Sequence, residues 1–198
     1  MILRYDVLNR LAERIGARRY LEIGVLDGTT FDAVSVAEKV SVDPGPVARV
    51  THRMTSDAYF EALQPAERFD LVFVDGDHVA EQVVRDVENA LRHLSPGGAI
   101  VVHDCSPPNE GYTARFSCGT VFRGWIEIRQ RHVDTLAFVV DVDLGCGVVV
   151  PGAYSWGRSN VDPNLPWDEF EARREEALGL VGWEMFREIV AGLEPISR

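Results

Sequence analysis

A chain of 198 residues, 46% of them hydrophobic, has room for one α/β domain with a short appendage and is too apolar to be disordered. Its net charge of −11 repels phosphate backbones and argues against nucleic acid as a partner. Three cysteines, Cys105, Cys118 and Cys146, are an odd number without metal-ligand spacing, which argues against a disulfide framework or a zinc site.

The first ten residues carry Arg4, Asp6 and Arg10 and no apolar signal core, and no run approaches about 18 consecutive apolar residues. The expected setting is the cytoplasm, with no membrane partner. Leu3, Val7, Leu8, Leu11, Ala12 and Ile15 lie on one stripe, predicting a helix over 3–15 that Gly16 stops. Residues 20–23 predict a strand ending at Gly24, and residues 29–36 a helix. Residues 40–42 predict a second strand closed by Asp43-Pro44-Gly45, and residues 50–54 a weak third. Ser56 is placed as the N-cap of a helix reaching Leu63. Residues 70–74 are nearly all apolar, as a strand buried on both faces should be. Over 79–94, Ala80, Val83, Val84, Val87, Ala90, Leu91 and Leu94 share a helix face, with Glu81/Arg85 and Glu88/Arg92 paired opposite. After Ser95-Pro96-Gly97-Gly98 comes another buried strand, 99–102. Strands alternating with helices imply a parallel sheet built from right-handed crossovers.

The pattern then changes. Residues 104–119 read as a polar loop, 120–131 as a helix, and the apolar runs 136–142 and 147–150 as an antiparallel hairpin around Asp143-Leu144-Gly145. A Gly-, Pro- and Asn-rich loop over 151–166 leads to one or two amphipathic helices over 167–189.

The stretch Glu22-Ile23-Gly24-Val25-Leu26-Asp27-Gly28 follows the first strand and opens a helix. Gly24 and Gly28 permit a tight turn and close approach of backbone to a ligand, at the strand ends where open α/β sheets bind ligands. The spacing is E-x-G-x-x-x-G rather than the G-x-G-x-x-G of dinucleotide folds. A pyrophosphate wants bare N–H groups. An acid at Glu22 suits a cation, such as the ammonium and sulfonium of S-adenosylmethionine. Asp43 follows Glu22 by 21 positions at the end of strand two, where a carboxylate accepts from ribose hydroxyls.

These residues resemble the class I S-adenosylmethionine-dependent methyltransferases. More narrowly, they are similar to a bacterial group with macrolide-sugar O-methyltransferases and cephalosporin-hydroxylase-like proteins. The resemblance rests on Glu22-Ile23-Gly24 with Gly28, Ser41-Val42-Asp43-Pro44, Thr55-Ser56-Asp57, Phe69 through His78, Pro96-Gly97-Gly98 through His103-Asp104, and Asp143 through Gly147. It implies a Rossmann-like, doubly wound, seven-stranded sheet of order 3-2-1-4-5-7-6 with strand seven antiparallel. Residues 1–152 are expected to form this domain, and residues 153–198 a loop and helical extension packed on it. The resemblance also implies S-adenosylmethionine or S-adenosylhomocysteine near Gly24 and Gly28, with Thr55, Ser56 and Asp57 approaching the adenine.

Asp75 ends strand four, Asp77 and His78 follow it, and His103-Asp104 ends the neighbouring strand five. Five titratable groups thus converge beside the expected methyl donor, a small-molecule hydroxyl being the expected acceptor. A positioned base contributes about 10²–10⁴-fold, and histidine titrates in the right range; His78 is the first candidate and His103 the second, with Asp75 supporting them. Asp75 and Asp104 also match the two metal carboxylates of catechol-type O-methyltransferases, which implies Mg²⁺. Cys105 stands where that family has Asn or Asp. The 105–119 loop is read as a lid or a plain connector, and Trp167 with the closing helices as packed on the domain or as a homo-oligomer contact. Two other function classes stay open. A nicotinamide oxidoreductase is disfavoured by Glu22 in place of a glycine and by the lack of a Tyr-x-x-x-Lys pair. A non-catalytic cofactor-binding protein would bind the donor without turnover.

Overall fold

A computed structural model describes residues 1–46, 50–152 and 158–197. The helices are α1 (Arg4–Ile15), α2 (Thr29–Ala33), α3 (Ser56–Ala62), α4 (Ala80–Arg92), α5 (Val121–Arg131), α6 (Trp167–Ala172), α7 (Arg174–Leu178) and α8 (Trp183–Ala191). The strands are β1 (Arg19–Ile23), β2 (Glu38–Val42), β3 (Phe69–Val74), β4 (Leu94–Val102), β5 (Thr135–Val140), β6 (Cys146–Pro151) and β7 (Leu180–Val181). The seven strands form one sheet of order β2-β1-β3-β4-β6-β5-β7. β2, β1, β3 and β4 run parallel, and β6 is antiparallel to both β4 and β5. This is a Rossmann-like, doubly wound architecture of the expected order around the centre, with β6 in the place of the antiparallel strand.

Alternation along the strands builds two cores. Leu21, Ile23, Val72, Val74, Ile100 and Val102 face α3, α4 and α5, packing on Phe60, Val83, Phe122 and Trp125. Tyr20, Leu71, Phe73, Ala99 and Val101 face the other way, onto Val7, Leu8 and Leu11 of α1 and Phe186 and Val190 of α8. The closing segment is joined to this body: β7 pairs with β5, and the Trp125 indole N–H donates to the Leu178 carbonyl at 3.1 Å.

Register places the site. Ile23 lies opposite Val74, and Val74 opposite Val102, so Gly24, Asp75 and His103 emerge side by side at one sheet edge. Gly24 has φ 83°, and a Cβ there would stand 2.0 Å from the Asp75 carbonyl oxygen. Only glycine lets the turn after β1 cross the end of β3 this closely.

Three local expectations change. The segment over 50–54 forms a single parallel bridge, Val42 to His52, and the seventh strand is instead β7 at the far edge. The α3 cap is Thr55, whose hydroxyl accepts from the Ala58 N–H at 3.3 Å, while Ser56 is already helical. The closing run holds a strand between its helices. The loop read over 151–166 and the 152/153 boundary fall partly outside the described residues. Among the described residues, no helix is long and apolar enough to cross a membrane.

Candidate active site

A cleft of about 960 Å³ opens along the carboxyl ends of β2, β1, β3 and β4. Its walls follow the sheet order. Thr55, Ser56 and Asp57 stand at the β2 end, then Asp43, then Gly24 with Val25 and Leu26, then Asp75, His78, His103 and Asp104. Phe116 and Ser117 of the loop after β4 face the same space.

The β3–β4 end is a charge cluster. Asp75 Oδ1 lies 3.5 Å from His78 Nε2 and 3.3 Å from His103 Nδ1. Asp104 reaches the same rings, Oδ2 at 3.4 Å from His78 Nε2 and Oδ1 at 3.4 Å from His103 Nδ1. The His78 Nδ1 is bonded to the Ser117 carbonyl oxygen, which aims Nε2 at the two carboxylates. Ligand atoms of Asp75, His78 and Asp104 all lie within 4.8 Å of one another. The Asp75 carboxylate holds the His78 imidazolium, raising its pKa to about 9 against the opposing effect of burial. Burial opposes charge on Asp75, yet the two imidazoles and Arg4 hold its carboxyl well below the usual carboxylate range. His103 is buried, with Nε2 2.7 Å from the Asp143 carbonyl oxygen. Despite that burial, Asp75, Asp104 and Asp143 raise its pKa well above the ordinary value.

Residues 31–105 match a family described as a methyltransferase domain. No curated protein matches the chain by sequence. Among solved structures, a putative O-methyltransferase from Klebsiella pneumoniae superposes with a TM-score of 0.60 at 20% identity, over 77% of this chain and 82% of that one. The chain shares the fold of that O-methyltransferase. An O-methyltransferase from Bacillus cereus in complex with S-adenosylhomocysteine superposes with a TM-score of 0.56 at 20% identity, over 76% and 82% of the two chains. The O-methyltransferase TomG from Streptomyces achromogenes, involved in tomaymycin synthesis and in complex with S-adenosylmethionine, gives 0.57 at 19%, over 75% and 79%.

Asp43 lines the cleft and also organises it. Its Oδ2 accepts from the Val25 and Leu26 N–H groups at 2.8 and 3.3 Å, and Oδ1 from Gly45 at 2.6 Å. Gln82 Nε2 donates to Ser56 Oγ and Asp57 Oδ1, each at 3.2 Å. Gly28 is the N-cap of α2 with φ 83° and is not among the cleft-lining residues.

Glu22 differs most from its sequence reading. It is 1% exposed, shares the Tyr20 face of β1, and accepts from the Tyr20 hydroxyl at 2.5 Å. Its Oε1 has no hydrogen-bond partner among the described residues, and burial lifts its pKa to about 8. At neutral pH Glu22 is therefore a neutral acid behind the cleft, not an anion facing a cationic ligand. Cys105 is fully buried, its thiol 3.4 Å from the Val102 carbonyl oxygen, so the third potential ligand beside Asp75 and Asp104 is His78 instead.

Two site residues received no role from the sequence: Arg4, which lies in no motif, and Asp143, which opens the Asp143–Gly147 motif. Arg4 donates from Nε to Asp143 Oδ2 at 2.9 Å and from Nη1 to Asp75 Oδ2 at 3.3 Å. Asp143 and Leu144 hold φ values of 46° and 65°, a backbone strained for residues with side chains. That turn delivers the Asp143 carboxylate to Arg4.

Proposed function

We propose that this methyltransferase transfers the methyl group of S-adenosylmethionine to a hydroxyl of a small molecule, a sugar or another natural product. The observation that carries the reading is a single cleft that holds Asp43 at one end and the Asp75–His78–Asp104 set at the other. Bound between them, S-adenosylmethionine supplies an electrophilic methyl on its sulfonium. Asp43 fixes the loop after β1 through the Val25 and Leu26 N–H groups and turns its remaining acceptor capacity to the ribose. Thr55, Ser56 and Asp57 border the adenine, with Gly24 leaving the backbone open to the ligand.

The acceptor hydroxyl must lose its proton as the methyl arrives. His78 with a pKa of about 9 is mostly protonated near neutral pH, which weakens it as a free base. Two carboxylates and one imidazole nitrogen fit a divalent cation, and Asp75, His78 and Asp104 would hold it. Such a cation acidifies a hydroxyl beside it. The nitrogen donor suits a first-row divalent cation better than Mg²⁺, which prefers oxygen ligands. His103, with Nε2 on the Asp143 carbonyl, serves as the positioning partner of Asp75. The loop bearing Ser117 covers this end, and its carbonyl sets the tautomer of His78.

The test is incubation of the purified protein with methyl-labelled S-adenosylmethionine and small-molecule extracts of the host, read by mass spectrometry. A labelled product carrying one added methyl on oxygen is expected. Donor binding without any labelled product above a protein-free control would overturn catalysis and leave a non-catalytic binder.

A further inference from the structure

Asp86 is a buried acid that the candidate metal set does not use. It lies on the inner face of α4 and is 1% exposed, where an uncharged side chain would cost less to desolvate. It does not line the cleft, but it stands directly behind its wall. A Cβ on the cleft-lining Gly76 would come 3.9 Å from Asp86 Oδ2. Asp86 Oδ1 accepts at 3.0 Å from Nε2 of Gln82, one turn earlier on the same helix.

Gln82 lines the cleft and ties α4 to α3. The same Nε2 reaches Ser56 Oγ and Asp57 Oδ1, each at 3.2 Å, while its Oε1 accepts from Arg85. Turning the amide over would set a carbonyl oxygen against Asp57 and Asp86 and an NH2 group against the Arg85 guanidinium, so the charges fix one orientation. Burial raises the pKa of Asp86 to about 6, and the Asp57 charge acts in the same direction; hydrogen bonds with Ser56 and Gln82 and the Arg85 charge oppose them. Near neutral pH Asp86 is therefore mostly an anion, which can only accept. Ser56 must then give its hydroxyl hydrogen to Asp86 and keeps lone pairs for Gln82 and for the cleft. Asp57 beside it is an acceptor as well.

We propose that Asp86 is a positioning residue for purine recognition: through Ser56 and Gln82 it holds Ser56 and Asp57 as an array of acceptors facing the exocyclic amino group of the methyl donor's adenine. This inference rests on the donor reading given above. An acceptor array pairs with an amino group and repels the carbonyl oxygen that hypoxanthine carries in its place. Once Asp86 is neutral it can donate to Ser56, the hydroxyl turns toward the cleft, and the discrimination weakens.

S-adenosylhomocysteine and its deaminated analogue S-inosylhomocysteine test this in calorimetric titrations of the wild type and Asp86→Asn at pH 7.5 and pH 5. At pH 7.5 the wild type should prefer the adenine ligand by about tenfold or more, and Asp86→Asn, whose amide can donate to Ser56, by no more than about threefold. At pH 5 the wild-type preference should fall toward that of the variant, and the variant's should not change. No preference in the wild type at pH 7.5, a preference kept in Asp86→Asn while both ligands weaken equally, or the same pH dependence in both proteins would overturn the proposal. If Asp86→Asn does not fold, the wild type decides it: a preference equal at the two pH values rejects the role. A wild type that binds neither ligand refutes the donor reading itself, and the proposal with it.

Discussion

Replacing Glu22 by Gln keeps the size of the side chain and an acceptor for the Tyr20 hydroxyl, but removes the ionisation. In the folded protein burial lifts Glu22 from the usual 4.5 to about 8. The proton is thus held more tightly in the folded than in the unfolded chain. Its stabilising effect is complete below pH 4.5 and is lost as pH rises toward 8. At about 1.4 kcal/mol per unit, the displacement is worth roughly 5 kcal/mol in full, and about 3.5 kcal/mol of it falls between about pH 5 and pH 8. Urea unfolding of wild type and Glu22→Gln across that range measures it. The variant should gain on the wild type by about 2–4 kcal/mol from the acid to the alkaline end. A constant offset between the two curves would refute the burial argument. The same variant addresses function: a neutral Glu22 behind the cleft predicts unchanged affinity for S-adenosylhomocysteine, whereas an anion facing the ligand's ammonium would cost about tenfold or more.

Asp43→Ala removes acceptors from the loop and from the ribose together. Affinity for S-adenosylhomocysteine should fall at least about tenfold by calorimetry, and the melting temperature should drop because the Val25 and Leu26 N–H groups lose their partner; unchanged affinity would remove Asp43 from the ribose site. His78→Ala should lower kcat markedly with donor affinity held within about twofold, and the wild type's affinity for the activating cation should rise with pH toward about 9, because the His78 proton must leave before the metal binds. A cation affinity that does not change with pH would show that His78 is not a ligand. Exhaustive chelation should abolish turnover while donor binding survives; full activity after chelation would return the proton-accepting role to His78 alone.

The parallel core was legible because β1, β3 and β4 each hold a short, mostly apolar stretch followed by a chemically distinct residue, Gly24, Asp75 and His103. Their neighbourhood then followed from parallel pairing. The orientation of Glu22 was legible too: it lies two residues from Tyr20, so strand alternation puts both side chains on one face. Its proximity to Gly24 in sequence drew attention to the ligand instead. The Arg4–Asp143 pair was not legible, since 139 positions separate the partners and only the packing of α1 across the sheet joins them. Residues 50–54 contain apolar side chains at Val50 and Met54 only, too few to hold a full strand. β7 is two residues long, below what periodicity can register, and it pairs because α7 and α8 on either side are anchored in the core. His78 entered as a base on its ordinary pKa; the two carboxylates beside it, brought by different strands, change that.

Calorimetric titration of S-adenosylhomocysteine into the wild-type protein, with reduced nicotinamide cofactor as the comparison ligand, tests the central claim most directly. The account predicts saturable binding of S-adenosylhomocysteine at one site per chain and no binding of the nicotinamide cofactor. Absence of S-adenosylhomocysteine binding, with the nicotinamide cofactor taking the cleft instead, would contradict it.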